Sequence, residues 1–221
     1  MDETVVVTSV QELAELLSSA DADRSVAPTS GARRITAIAG PPGAGKSTVA
    51  EALVDLLNAL SPGTAAVFPM DGYHYDDLVL EERGWRPRKG APHTFDVSGF
   101  AHMLARLRRN DEDEVAVPVF DRGIEISRAG ARIIPRSVSH IVVEGNYLLL
   151  DVRPWTDLGD HFDTTVSIDV PEAELRRRLV ERWSHLSGAA LEEKLEGNDM
   201  PNVRLVRSSS RPADIVICEP V

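Results

Sequence analysis

Gly40-Pro41-Pro42-Gly43-Ala44-Gly45-Lys46-Ser47 is the stretch on which the fold turns. It satisfies G-x-x-x-x-G-K-[ST] at every fixed position, and its flanks are the ones that pattern needs. Ahead of it, residues 35–39 form a short apolar run that predicts a buried strand. Behind it, residues 46–60 carry Val49, Leu53, Leu56, Leu57 and Leu60 at helical spacing. The physical reading is a cradle for an anion. Glycines let successive backbone N–H groups turn inward without Cβ clashes. The helix that starts near Lys46 aims its positive end at the same point. Lys46 adds a full charge for the outer phosphates of a nucleotide, and the Ser47 hydroxyl is a hard oxygen suited to magnesium. Residues Gly40 to Ser47, with Thr48 behind them, are the expected nucleotide-binding segment.

Outward from this loop the chain alternates strand and helix. Further strands are predicted at 65–69, 141–143, 165–170 and 215–218, with a strand or extended edge at 115–120. A helix is predicted at 97–108, where Phe100, Met103, Leu104 and Leu107 share a face, and another carries Leu175, Leu179 and Trp183 four apart. Short, continuously apolar strands between helices imply a mainly parallel sheet covered on both faces, an α/β fold. Residues 9–20 predict a helix with Ser9 as N-cap, and 21–33 are polar and rich in Ala, Ser, Pro and Gly. The expected organisation is an N-terminal helix and linker over 1–33, then one main domain over 34–221.

Composition narrows the function classes. A chain of 221 residues suits one domain with a real core. The formal charge of -11 argues against a nucleic-acid backbone as partner. No apolar run reaches the length of a membrane span, and the acidic Met1-Asp2-Glu3 start lacks the features of a signal peptide, so no membrane and a cytoplasmic location are expected. Cys218 has no intrachain partner and reads as a small packing residue. The six histidines show no metal-ligand spacing. Two basic clusters, Arg86 with Arg88 and Lys89, and Arg176 to Arg178 with Arg182, read either as receivers of an anion or as solvated faces.

Two carboxylates fall at predicted strand ends, where parallel sheets bind ligands. Glu144 follows Ile141-Val142-Val143 and fits the acidic residue of a Walker B strand, a magnesium ligand directly or through water; the alternative is a solvated strand end. Asp71 follows Val67-Phe68-Pro69-Met70. A hydroxyl is a poor nucleophile until its proton has somewhere to go, and a carboxylate within reach serves as base. Asp71-Gly72 is also a common turn pair, so a turn role stays open.

Seven stretches in order carry a family resemblance. They are the glycine-rich loop, Met70-Asp71-Gly72-Tyr73-His74, Arg88 to Asp96, Pro118 to Arg122, Val143 to Leu149, the arginine-bearing helix, and Pro212 to Ile217. Together they resemble the P-loop kinases of the phosphoribulokinase, uridine kinase and bacterial pantothenate kinase superfamily. Within it the likeness is greatest to a nucleoside/nucleotide kinase group that includes candidate fructose-transport-system kinases. The resemblance implies a P-loop NTPase fold with a helical lid at 172–200, ATP and Mg2+ as cofactors, and a small-molecule acceptor. It implies Asp71 as catalytic base, and an acceptor pocket lined by Tyr73, His74, Arg88, Lys89, His93, Phe95, Asp121, Arg122 and Asn146. Arg178 and Arg182 become lid arginines, which would stabilise the charge of phosphoryl transfer and exclude water. Two departures stand out. Trp183 replaces the acidic residue usual after the second lid arginine, and Arg83 to Lys89 differs from a uridine-binding stretch. Both argue against uridine and leave room for a sugar or another polyol, including one that carries an anionic group.

The reaction expected is transfer of the γ-phosphoryl group to a hydroxyl of a small polar metabolite. A nucleotide kinase with a phosphate acceptor and a partner-regulated ATPase are the alternatives. No N-K-x-D run is present to suit a guanine-specific switch. A homodimer is left open.

Overall fold

Strand β2 (Arg34–Ala39), the run ahead of the glycine-rich loop, lies inside a six-stranded parallel sheet in a computed structural model that describes residues 4–23 and 32–218. The other strands are β1 (Val5–Val7), β3 (Ala65–Pro69), β6 (His140–Gly145), β7 (Thr164–Asp169) and β8 (Ile215–Cys218), in the order β1-β8-β7-β2-β6-β3. After β2 the chain crosses by α2 (Lys46–Leu60) to β3 on one side; after β6 it crosses to β7 on the other. The crevice between the carboxyl ends of β2 and β6 is therefore a topological switch point, where such sheets take ligands.

Alternation along the strands sorts the core. Ile35, Ala37 and Ala39 of β2 and Ile141 and Val143 of β6 face one layer, with α4 (Val97–Arg109) packed there through Phe100, Leu104 and Leu107. Ile38 and Val142 face the other, against Val49, Ala50, Leu53 and Leu57 of α2. By the same period of two, Glu144 shares the face of Val142 and so points toward the first turn of α2.

The N-terminal segment belongs to this sheet. β1 pairs with β8 as the edge strand, and α1 (Val10–Asp23) packs on α2 through Leu13, Ala14 and Leu17. The sequence reading anticipated the helix but not the strand, because three valines after an acidic start give too short a period to score. The linker expected at 21–33 lies mostly outside the described residues. Cys218 is exposed at the end of an edge-adjacent strand rather than packed.

The region expected as a strand at 115–120 is β4 (Glu114–Asp121), paired antiparallel with β5 (Ile126–Pro135) in a separate hairpin. β5 was not foreseen, since most of its residues are exposed and its pattern is polar. This hairpin presses on the turn that follows β3. A Cβ at Gly72 would lie 2.5 Å from the Pro118 carbonyl oxygen, so only glycine permits the approach. The Arg132 side chain also caps the free edge of β3, donating to the Val67 carbonyl at 2.6 Å.

Past β7 come α5 (Glu172–Arg182), α6 (Gly188–Lys194), a π turn (Leu195–Asp199) and α7 (Met200–Ser209). The first three occupy the segment expected as a lid. A short helix, α3 (Asp77–Glu82), completes the elements that border the site. Among the described residues no helix is long and apolar enough to cross a membrane.

Candidate active site

The glycine-rich loop closes the carboxyl end of β2. Gly43 and Gly45 have φ of 84° and 88°, the left-handed region that a Cβ disfavours. Gly45 is the N-cap of α2 and offers no side-chain cap, so the first N–H groups of the helix are left for an incoming anion. Lys46 is 8% exposed, and its Nζ donates to the Pro41 carbonyl at 3.0 Å. Burial lowers its pKa to about 8, with Glu144 and Asp71 opposing the shift.

Glu144 is 6% exposed. Burial and the charge of Asp71 push its carboxyl above the usual range, while Lys46 pulls it back. A buried carboxylate whose charge is disfavoured marks a place short of positive charge. Among the described residues no three His, Cys, Asp or Glu side chains are arranged to hold a metal. The Ser47 hydroxyl and the Glu144 carboxylate are nevertheless two hard oxygens on the same cavity. That set suits Mg2+, which completes its shell with water and substrate phosphate.

Because the Lys46 pKa is lowered on folding, the unfolded chain binds more protons between about pH 8 and the ordinary lysine value. Nucleotide-free stability should therefore rise through that alkaline window, by at most on the order of 3 kcal/mol from this group. Lys46→Met should flatten the rise in chemical-denaturation curves.

Asp71 sits in a one-turn 3-10 helix (Met70–Tyr73) directly after β3. Its Oδ2 accepts from Arg122 Nη2 at 2.9 Å, an ion pair that ties the hairpin to the turn. His74 supports the turn from behind. Its Nδ1 lies 2.8 Å from the Asp71 carbonyl oxygen, and its ring is wedged between Phe95 and Phe120 at centroid distances of 4.0 and 4.7 Å. Burial lowers the His74 pKa, so a neutral ring with Nδ1 as donor fits the contact.

One cavity of about 680 Å3 joins these parts. It brings together Pro42, Gly43, Gly45, Lys46, Ser47 and Thr48 with Asp71 and Glu144. His74, Lys89, Arg122 and Asn146, expected on the acceptor side, line it too, as do Arg178 and Arg182, expected on the lid. Five residues expected to line the acceptor pocket do not. Tyr73 is packed edge-on against Phe68 and Phe100 in the core. Phe95 is buried against Tyr147 and Trp155. His93 stands edge-on to Trp85. Asp121 accepts from Gly123 N at 3.0 Å and pairs with Arg128, shaping the hairpin's turn. Arg88 is spent on Asn198 and Asn202. All five were implied by the resemblance, and the turns and strands that carry them send these side chains elsewhere.

The cavity also has walls that nothing in the sequence singled out, namely Glu125, Asp199 and Asn202. Arg86 was visible as part of a basic cluster; its Nε pairs with Asp77 at 2.9 Å, and the same carboxylate accepts from Lys89 Nζ at 2.7 Å.

No family model matches the chain. A crystal structure from Silicibacter sp. TM1040, described as a candidate fructose transport system kinase, is 37% identical, with a TM-score of 0.86 over 95% of this chain and 99% of its own. The uncharacterized protein YggC of Escherichia coli is 33% identical over 84% of this chain and 77% of its own length. A candidate uridine kinase of Schizosaccharomyces pombe is 29% identical over 84% and 83%. A pantothenate kinase of Listeria monocytogenes is 32% identical over 72% of this chain but only 53% of its own length. With the loop, the sheet order and these likenesses together, the chain belongs to the P-loop kinases, with uridine and pantothenate kinases among its relatives, and it is an ATP-dependent small-molecule kinase.

Proposed function

We propose that the chain transfers the γ-phosphoryl group of ATP to a hydroxyl of a small polar metabolite: a sugar, a nucleoside or a vitamin precursor. The observation that carries this reading is Asp71. It lies at the carboxyl end of β3 on the cavity that Lys46 also lines, and Arg122 holds its carboxylate in place at 2.9 Å. A phosphate acceptor needs no base there; an alcohol does. Uridine and pantothenate, in the names of two relatives, both carry hydroxyl groups.

The residues divide the work. The loop N–H groups and Lys46 bind the β and γ phosphates and orient the γ group. Ser47 and Glu144 would hold Mg2+, which supplies charge neutralisation on the phosphate oxygens. Asp71 takes the acceptor's proton as its oxygen bonds to the γ phosphorus and the bond to ADP breaks. Arg122, released from Asp71 as that proton arrives, is placed to meet the charge of the transferred group. Arg178 and Arg182 approach from the lid and shut out water. An ATP-consuming enzyme of this kind works where ATP is, which supports the cytoplasm.

Arg178 already spends its Nε on Glu174 at 2.7 Å, leaving its terminal nitrogens for phosphate. Arg178→Ala should lower kcat by about a hundredfold and raise the KM for ATP far less, as expected for a donor used mainly in the transition state. Steady-state kinetics showing the reverse split would remove it from the lid role. The reading as a whole is tested by a coupled ADP-release screen over sugars, sugar phosphates, nucleosides and vitamin precursors. Asp71→Asn serves as the control. Acceptor-dependent ADP release that survives Asp71→Asn would point to a phosphate acceptor. Release stimulated only by a protein would point to a regulated ATPase.

A further inference from the structure

The turn that bears Arg86–Arg88 and Lys89 is fastened to the lid by buried polar side chains. Asn198 and Asn202 are 3% and 2% exposed, and Asp199 is 8% exposed. Asn198 Nδ2 donates to the Lys89 carbonyl at 2.8 Å. Its Oδ1 accepts from Arg88 Nε at 3.2 Å and from Asn202 Nδ2 at 3.3 Å. Arg88 Nη2 donates to Asn202 Oδ1 at 3.3 Å. On the other side, Asp199 Oδ2 accepts from Trp183 Nε1 at 2.7 Å, and Trp183 directly follows Arg182.

Successive residues on a helical turn point about 100° apart, so Asn198 and Asp199 reach two different neighbours from one place. One holds the backbone of the acceptor-side turn, and the other holds the residue beside a lid arginine. The π turn that carries both is an interruption of the kind that marks functional positions in helices. Packing alone would be met by apolar side chains. A fully bonded polar set instead fixes the relative position of its partners, since any shift leaves a buried group unpaired.

We propose that Arg88, Asn198 and Asp199 are positioning residues that couple the Lys89 turn to Arg182, so that nucleotide under the lid and acceptor on the turn favour one another. This rests on the kinase reading above. Coupling between the two sites is reciprocal, so it can be read from the nucleotide side alone, with no acceptor in hand.

The experiment is hydrogen exchange on the full chain with and without a non-hydrolysable ATP analogue and Mg2+. In the wild type the analogue should slow exchange in the loop at 40–48 and also in the turn at 85–91, the latter by about fivefold or more. Arg88→Lys cannot make both amide contacts, and Trp183→Phe removes the indole donor while keeping the ring. Each should keep the analogue's protection at 40–48 and lose it at 85–91. A variant that merely loosens the fold would raise exchange with and without analogue alike, leaving the ligand-induced difference at 85–91 in place, and that outcome overturns the proposal. So does a wild-type turn that ignores the analogue. Absence of protection at 40–48 in the wild type would instead overturn nucleotide binding, and the coupling with it.

Discussion

Lys46→Ala should abolish phosphoryl transfer with every acceptor, a fall in turnover of about a thousandfold or more. The size follows from where the charge sits. Lys46 is nearly closed off from solvent, at the start of a helix with no side-chain cap, in a cavity that also holds Glu144 and Asp71. In such a place one cation offsets phosphate charge far more strongly than it would in water. The folded-state environment costs the ammonium proton affinity, so the bound triphosphate regains what burial takes away. Alanine leaves Glu144 without the positive charge that most favours its carboxylate form and leaves the γ group without its clamp. The check is single-turnover phosphoryl transfer alongside thermal melts of the nucleotide-free protein. Turnover within tenfold of wild type, in a folded variant, would mean that the loop does not cradle the triphosphate.

Asp71→Asn has the second largest effect, a loss of about a hundredfold to ten-thousandfold in kcat for an alcohol acceptor. The substitution keeps the shape and leaves the nucleotide loop untouched, so binding of ATP should change little. What it removes is a place for the hydroxyl proton. The surroundings hold the carboxylate still: Gly72 permits the Pro118 carbonyl to press on the turn, His74 braces its backbone, and Arg122 grips the side chain. A preorganised base loses more on neutralisation than a mobile one, because no other group is poised to replace it. The measurement is kcat and KM for the acceptor found in the ADP-release screen. A kcat unchanged by Asp71→Asn would move the acceptor's chemistry from alcohol to phosphate.

The sequence by itself determined the sheet, the nucleotide loop and the two strand-end carboxylates. Those features are written in short-range chemistry: apolar runs of strand length, a helix with leucines at its inner face, and glycines where the backbone must curl around an anion. Helix α2 and strands β3 and β8 begin and end where their periodicity does. The tertiary structure alone decided which neighbours of those carboxylates reach the cavity. Tyr73 and Asp121 adjoin residues that line it, yet one is turned into the core and the other into a hairpin's bend. The same holds for Arg88. As a residue type it signals anion binding, and only the π turn, brought alongside from 110 positions further along the chain, makes it a fastening for the lid. Strand β1 is a similar case, since three valines become an edge strand only because β8 presents unpaired backbone to them. Local pattern fixes what an element is, whereas long-range packing fixes what its side chains face, and catalysis depends on the second as much as the first.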